Sequence, residues 1–259
     1  MKRRLLFLIC TFMATLLAFL PVSALSLQVK PSRFVLEIKP GKQEGGAIVV
    51  SNPSRDVLKC VAIIKDWDLD AVGNLTTTLA GTMDTSLRSW LKFNPRQFSI
   101  QPNGYQVVRF SVSVPKNATP GERRGIIFFS PSIGNSGMSV KTEVGVTVYI
   151  AVEPVKRTFE LTLEKTVLNK DQHIEINYTV NSTGNAHCRL TGKYRLSDRN
   201  GKVVEEGGLG ERVVLPGKTD NYVITGTRVL TPGQYRLYLE VVCEGVTTVF
   251  RRDFEIDLL

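Results

Sequence analysis

An all-β chain folded as two sandwiches is what this sequence predicts, and three observations carry the prediction. After residue 25 helical periodicity is nearly absent, while short β-branched runs recur. Turn signals separate the runs: Lys39-Pro40-Gly41, Ser51-Asn52-Pro53, Pro102-Asn103-Gly104 and Thr119-Pro120-Gly121. Intervals of about a dozen residues between turns are what antiparallel sandwiches produce. The third observation is a weak internal repeat. "VVSNPS" from Val49 matches "TVNSTGN" from Thr179, each a strand entering an Asn turn. "WDLDAVGN" from Trp67 matches "YRLSDRNG" from Tyr194, each a strand ending in an Asp/Gly turn. In both halves a Pro-Gly-type turn then opens a strand and a Thr-Pro-Gly turn closes it, at Gly104 and Gly121 in the first and Gly217 and Gly233 in the second. Two immunoglobulin-like sandwiches follow, over residues 26–154 and 155–259, joined by a short hinge.

The chain opens with Lys2-Arg3-Arg4, an apolar run from Leu5 to Leu20, and the small-residue pattern Val22-Ser23-Ala24. That is the layout of a secretory signal peptide over residues 1–24, cleaved after Ala24. The run is short for a membrane-spanning helix, and no second apolar run follows it. Removing the leader takes three positive charges away, so the balance falls from +9 to +6. The basic residues are scattered and not interleaved with aromatics, which gives no footprint for nucleic acid. Three cysteines remain: Cys60, Cys188 and Cys243. An odd count in an oxidising compartment suggests one bridge and one leftover thiol. Cys188 and Cys243 share the second half, and a bridge between them stabilises it by roughly 4 kcal/mol on the chain-entropy estimate. Cys60 alternates with Leu58, Ala62 and Ile64 and reads as a small buried apolar residue.

Along the first half, "VKPSRFVLEI" reads as the opening strand and the Leu58 to Ile64 alternation as a core strand. Relative to the second half, the first carries extra residues in "LTTTLAGTMDTSLRSWLK", which predict a loop, an added strand or a crossover between sheets. Residues 138–152, "MSVKTEVGVTVYIAV", are apolar or methyl-bearing at every second position. At roughly 3.3 Å per residue they would span about 50 Å, far beyond an ordinary strand. Such a segment either bends at Gly145 or reaches outside its own domain. The second half begins almost at once, with "TFELTLEK".

Catalytic chemistry has little to stand on. His173 and His187 are the only histidines, and His187 and its neighbour Cys188 point to opposite faces of a strand. No Gly-rich phosphate loop, nucleophile elbow or zinc motif occurs. Asp66, Asp68 and Asp70 form an alternate acidic series that suits either calcium or a strand end with a wet face. No catalytic residue, metal site, cofactor or small-molecule substrate is expected, and the chain does not read as an enzyme.

Three segments of the first half resemble the amino-terminal domain of the PapD-like periplasmic pilus chaperones. "VKPSRFVLEI" is similar to the family's first strand, with Arg33 at the place of its basic residue. "FNPRQFSIQPNGYQVVRFSV" is similar to its motif of proline, apolar residue, Pro-Gly-type turn, glutamine and arginine, here Pro95, Phe98, Pro102, Gln106 and Arg109. "YIAVEP", ending at Pro154, is similar to the last strand of that domain. The second half shows only generic immunoglobulin-like features. The resemblance implies a non-enzymatic periplasmic chaperone that lends an edge strand to a secreted, β-rich, pilin-like subunit, with an outer-membrane usher as further partner. Carried over by position, Met138, Val140, Thr142 and Val144 are the subunit-binding side chains, and Val146, Val148 and Ile150 hold the strand in its own domain. Arg33 pairs with the subunit's terminal carboxylate. The family's second basic residue, near the hinge, is replaced by Tyr149, which donates one hydrogen bond but brings no charge.

A second reading is a cell-envelope scaffold or adhesive protein that binds cell-wall or surface partners. "NATPGERRGIIFF" suits it equally. A third is sugar binding through Trp67 and Trp90, against which stands a core or hinge role for each.

Overall fold

The computed structural model describes residues 27–70, 73–133, 143–247 and 249–259. All regular structure in them is strand. The first sandwich holds β1 (Gln28–Lys30), β2 (Arg33–Ile38), β3 (Gln43–Ser51), β4 (Leu58–Leu69), β5 (Leu75–Leu79), β6 (Leu91–Asn94), β7 (Gln97–Ile100), β8 (Tyr105–Ser113), β9 (Gly121–Ile133) and β10 (Val144–Val152). One sheet runs β1-β3-β8-β6; the other runs β2-β10-β9-β4-β5, with β7 also on β4. The second sandwich holds β11 (Phe159–Leu168), β12 (Ile174–Ser182), β13 (Cys188–Asp198), β14 (Val203–Gly208), β15 (Arg212–Val214), β16 (Thr219–Thr225), β17 (Gly233–Cys243) and β18 (Val249–Leu258). Its sheets run β11-β12-β16 and β14-β13-β17-β18, with β15 also on β13. Among the described residues, no strand of one sandwich pairs with a strand of the other.

Period-two alternation builds each core. In β4, Leu58, Cys60 and Ala62 are buried while Lys59, Val61 and Ile63 face out. In β12, Ile174, Ile176, Tyr178 and Val180 turn inward. Two separate apolar clusters result, one per sandwich. The repeated Asp/Gly turns share one backbone form. Asp70 N–H donates to the Asn74 carbonyl (2.9 Å) and Gly73 N–H to that of Asp70 (3.0 Å). Asp198 to Lys202 and Gly201 to Asp198 repeat both bonds, at 2.9 and 3.0 Å. Gly73 and Gly201 sit at φ +84° and +80°, where a side chain is strained.

Two elements differ from the sequence reading. The opening segment is two strands in two sheets: β1 pairs antiparallel with β3, and β2 pairs parallel with β10. Pro31 lies between them and has no N–H for a ladder, so the chain leaves one sheet there and joins the other. The added stretch is both strand and crossover. β5 extends the sheet beside β4, and the chain then crosses to β6 in the facing sheet.

That crossover is wedged into the sheet. Pairing of β4 with β9 stops at Lys65 and Ile126, and two residues further along β9, Arg124 bridges Ser86 instead. Asp66, fully buried, holds the wedge. Its Oδ2 accepts from the amides of Gly81, Thr82 and Met83 at 2.9, 3.0 and 3.0 Å, and its Oδ1 from Ser86 Oγ at 2.6 Å. Leu69 at the end of β4 and Leu75 at the start of β5 thereby face a space whose other walls come from the second sandwich.

Candidate functional site

Two features of the first sandwich meet at its junction with the second: the edge of β10 and a cleft. β10 pairs along its whole length with β9, from Val144 opposite Phe129 to Val152 opposite Gly121. On its other side β2 covers it only from Thr147 to Val152. Val144, Gly145 and Val146 therefore have no strand on that side among the described residues. Val144 is half-buried against the first core, whereas Val146, Val148 and Ile150 are wholly buried in it. Met138, Val140 and Thr142 lie outside the described residues.

Toward the hinge, the opposite face of the same sheet enters the cleft, a space of about 450 Å³ whose walls include Trp67, Leu75, Tyr149, Arg212, Val213 and Tyr222. Trp67 (1% exposed) and Tyr149 meet edge to face, ring centroids 5.3 Å apart. With Ile126 from the first sandwich and Leu215 from the second they form a third buried apolar cluster. Trp67 thus has the hinge role and Trp90 packs into the first core. Burial pushes the Tyr149 phenol above its ordinary range, while the nearby Arg189 guanidinium pulls it back down.

Charged groups ring this cluster. Arg33 Nη2 lies 3.3 Å from Glu244 Oε1 across the domain boundary. Arg189 Nε lies 3.4 Å from Glu244 Oε2, within ion-pair reach but off the angle of a hydrogen bond, and its Nη1 contacts Glu211. Two guanidinium groups thus converge on the Glu244 carboxylate, whose side chain is 58% exposed. Arg33 is a candidate from the sequence and Arg189 is not, because β13 belongs to the other sandwich and only domain packing brings the two together. Deeper in, Glu122 Oε2 accepts from the His187 backbone amide (3.0 Å) and lies 2.5 Å from its ring Nδ1. Both side chains are buried, and the His187 ring lies under Tyr149 at 4.2 Å. Cys188, the next residue, points into the second core.

The alternate aspartates do not converge on a common point. Asp66 turns inward to the crossover, Asp70 Oδ1 accepts from the Asn74 amide, and Asp68 meets Arg124 at 3.0 Å and Lys218 of the second sandwich at 3.3 Å. Burial alone would push the Asp68 carboxyl up. The Leu69 amide, Arg124 and Lys218 outweigh it and hold the group below the ordinary carboxylate value. A depressed folded-state value contributes stability that is complete above the unfolded value and is lost as pH falls through the folded one. The melting-temperature gap between wild type and Asp68→Asn is therefore expected to be present at neutral pH and to close in acid. A gap that stays constant across that range would contradict this role.

Cys188 and Cys243 are neighbours in one sheet, as their strands β13 and β17 pair with Leu190 opposite Cys243. In place of the expected bridge the structure has two buried free thiols, whose hydrogen bonds go to the carbonyls of Thr158 and Glu244; each thiol acts on the other, which pushes the Cys188 thiol up and the Cys243 thiol down. Cys60 is buried too, and burial pushes its thiol up to about 12.

No protein-family model and no curated protein matches this sequence. Solved structures do. A class 5 fimbriae chaperone, CfaA, superposes with TM-score 0.52 at 11% identity, over 90% of this chain and 99% of its own. A chain of a chaperone–tip adhesin complex in CFA/I fimbriae biogenesis gives 0.51 at 12%, over 88% and 98%. The YadV chaperone gives 0.51 at 7%, over 89% and 99%. The chain has the two-sandwich fold of these fimbrial chaperones over nearly its full length, and the PapD-like resemblance holds at the level of that fold.

Proposed function

We propose that this protein is an exported chaperone that captures a secreted, β-rich, pilin-like subunit by lending it the open edge of β10. The carrying observation is the incomplete cover of that strand: β2 stops at Thr147, and among the described residues Val144, Gly145 and Val146 have no strand on that edge. An unpaired edge offers backbone hydrogen bonds for affinity, and alternate side chains give register. The apolar side chains at alternate positions upstream, Met138 and Val140, with Thr142, continue the same pattern in sequence. Arg33 and Arg189 form the cationic end of the site. A subunit carboxylate reaching the cleft would exchange with Glu244 on this pair, a charge-assisted contact that sets register. The Tyr149 side chain serves as wall and phenol donor beside it. The signal peptide over residues 1–24 and the fold of fimbrial chaperones support a periplasmic location, with an outer-membrane usher as the site of handover.

The test is co-expression of the protein with the secreted β-rich products of its neighbouring genes, followed by purification under native conditions. A stoichiometric complex with one of them is expected. Recovery of the free protein alone, with cell-wall fragments as the only ligand, would favour the envelope-scaffold reading instead.

In an oxidising compartment the placement of Cys188 and Cys243 on the paired strands β13 and β17 supports conversion to a bridge, the two electrons and two protons passing to the disulfide of a thiol oxidase. Exported protein without its leader is then expected to show a single reactive thiol under denaturing conditions, that of Cys60. Three reactive thiols would contradict the bridge.

A further inference from the structure

We infer that β5 is a self-association edge, at which two copies of this chain join by antiparallel pairing of Leu75–Leu79 about a two-fold axis through Thr77. The inference does not depend on the proposed function.

Among the described residues β5 ends its sheet, pairing with β4 on one side only. All five of its residues are exposed, Leu75 at 43% and Leu79 at 78%. Soluble proteins protect such edges with charge, proline or a bulge. The rule holds elsewhere in this molecule. Of the strands that end the four sheets, β1 carries Lys30, β2 Arg33, β6 Lys92, β11 Glu160, β14 Glu206, β16 Asp220 and β18 Arg251; the side strand β7 is uncharged but flanked by Pro95, Arg96 and Pro102, and β5 alone has neither a charge nor such a flank. The neutrality extends past its ends, since no charged residue or proline occurs anywhere in residues 73–83. In a chain with 22% charged residues, that is a departure located at the one place where it invites pairing.

The occupant follows from the sequence of the strand. Leu-Thr-Thr-Thr-Leu reads the same in both directions, so a two-fold operation places Leu75 opposite Leu79 of the copy and Thr77 opposite itself. Thr–Thr pairs across antiparallel strands are favourable, and no like charges face each other. A two-fold contact of this kind is self-complementary and closed.

Backbone parity agrees. Asp70 N–H donates to the Asn74 carbonyl, so Thr76 and Thr78 share the hydrogen-bonded phase of the hairpin and spend their amides on β4. Leu75, Thr77 and Leu79 then present theirs outward. Thr77 and its copy would exchange both N–H···O bonds, joining two sheets into one. The contact is small beside the ~1,200–2,000 Å² of standard interfaces, which points to a dissociation constant of about 10–100 μM.

Sedimentation equilibrium on the purified protein is expected to show a monomer–dimer equilibrium in that range. Thr77→Lys, at an exposed position, should raise the dissociation constant about tenfold or more while leaving the melting temperature unchanged. Cross-linking reads the register. In the hydrogen-bonded pair the Thr77 Cα atoms would be about 5.5 Å apart, within disulfide range. Thr77→Cys should therefore form a covalent dimer under mild oxidation, and Thr76→Cys, which would face Thr78 of the copy, should not. The inference is overturned if wild type stays monomeric throughout, if Thr77→Lys associates as wild type does, if both cysteine variants cross-link equally, or if Val144→Asp abolishes association.

Discussion

Replacing His187 by alanine is expected to lower the unfolding free energy by about 3 kcal/mol, the cost of taking a hydrogen-bond partner from a buried carboxyl group and leaving a cavity where a packed ring was. Glu122 is buried; among the described residues its Oε1 has no hydrogen-bond partner and its Oε2 is served by His187, through the ring and the backbone amide. The alanine variant keeps the amide and loses the ring. It also removes the surface on which Tyr149 lies, loosening the cluster of Trp67, Ile126 and Leu215 that joins the sandwiches. Urea unfolding measures the first effect, and small-angle scattering reads the second as an increased radius of gyration. His187→Gln, which restores a donor, should recover part of the loss. A change within about 0.5 kcal/mol, the usual range for surface substitutions, would show that the pair does not hold the domain junction.

The second large effect is on capture. Val144→Asp is expected to lower affinity for a co-purifying subunit by about 100-fold or more, since it places a carboxylate where the donated strand enters an apolar groove. Val144 is only half-buried in its own domain, so the melting temperature should fall far less than for a change at the fully buried Val146. Val229→Asp supplies the control: Val229 is 73% exposed in the second sandwich, next to Leu230, whose amide donates to the Gln172 carbonyl, and the variant should bind as wild type does. Equal binding by the Val144 variant would remove strand lending from the account.

Much of the fold is legible in the sequence because its signals are local. Asp and Gly at fixed offsets make the 70–74 and 198–202 turns, and alternation in Leu58, Cys60 and Ala62 marks a core face. The site is less legible because it is made by contacts between distant segments. Nothing near Glu122 points to His187, and nothing near Arg33 points to Arg189 or Glu244; each pair forms only when two sandwiches pack. Asp66 shows how alternation misleads. It continues the inward phase of β4, yet it is a carboxylate, and its burial makes sense only once three amides of the crossover are known to surround it. Tyr149 stands where the family resemblance leads one to look for a cation. The positive charge beside it comes from Arg189 on the other domain, which no inspection of β10 alone reveals.

Strand lending is the central claim, and amide hydrogen exchange on the protein, free and in complex with its co-purified subunit, tests it most directly. The account predicts that new protection on binding falls on Val144, Gly145, Val146 and the segment just upstream, while residues 147–152, already paired with β2, change little. Protection confined to the cleft or to the second sandwich, with the free edge of β10 exchanging as before, would contradict it.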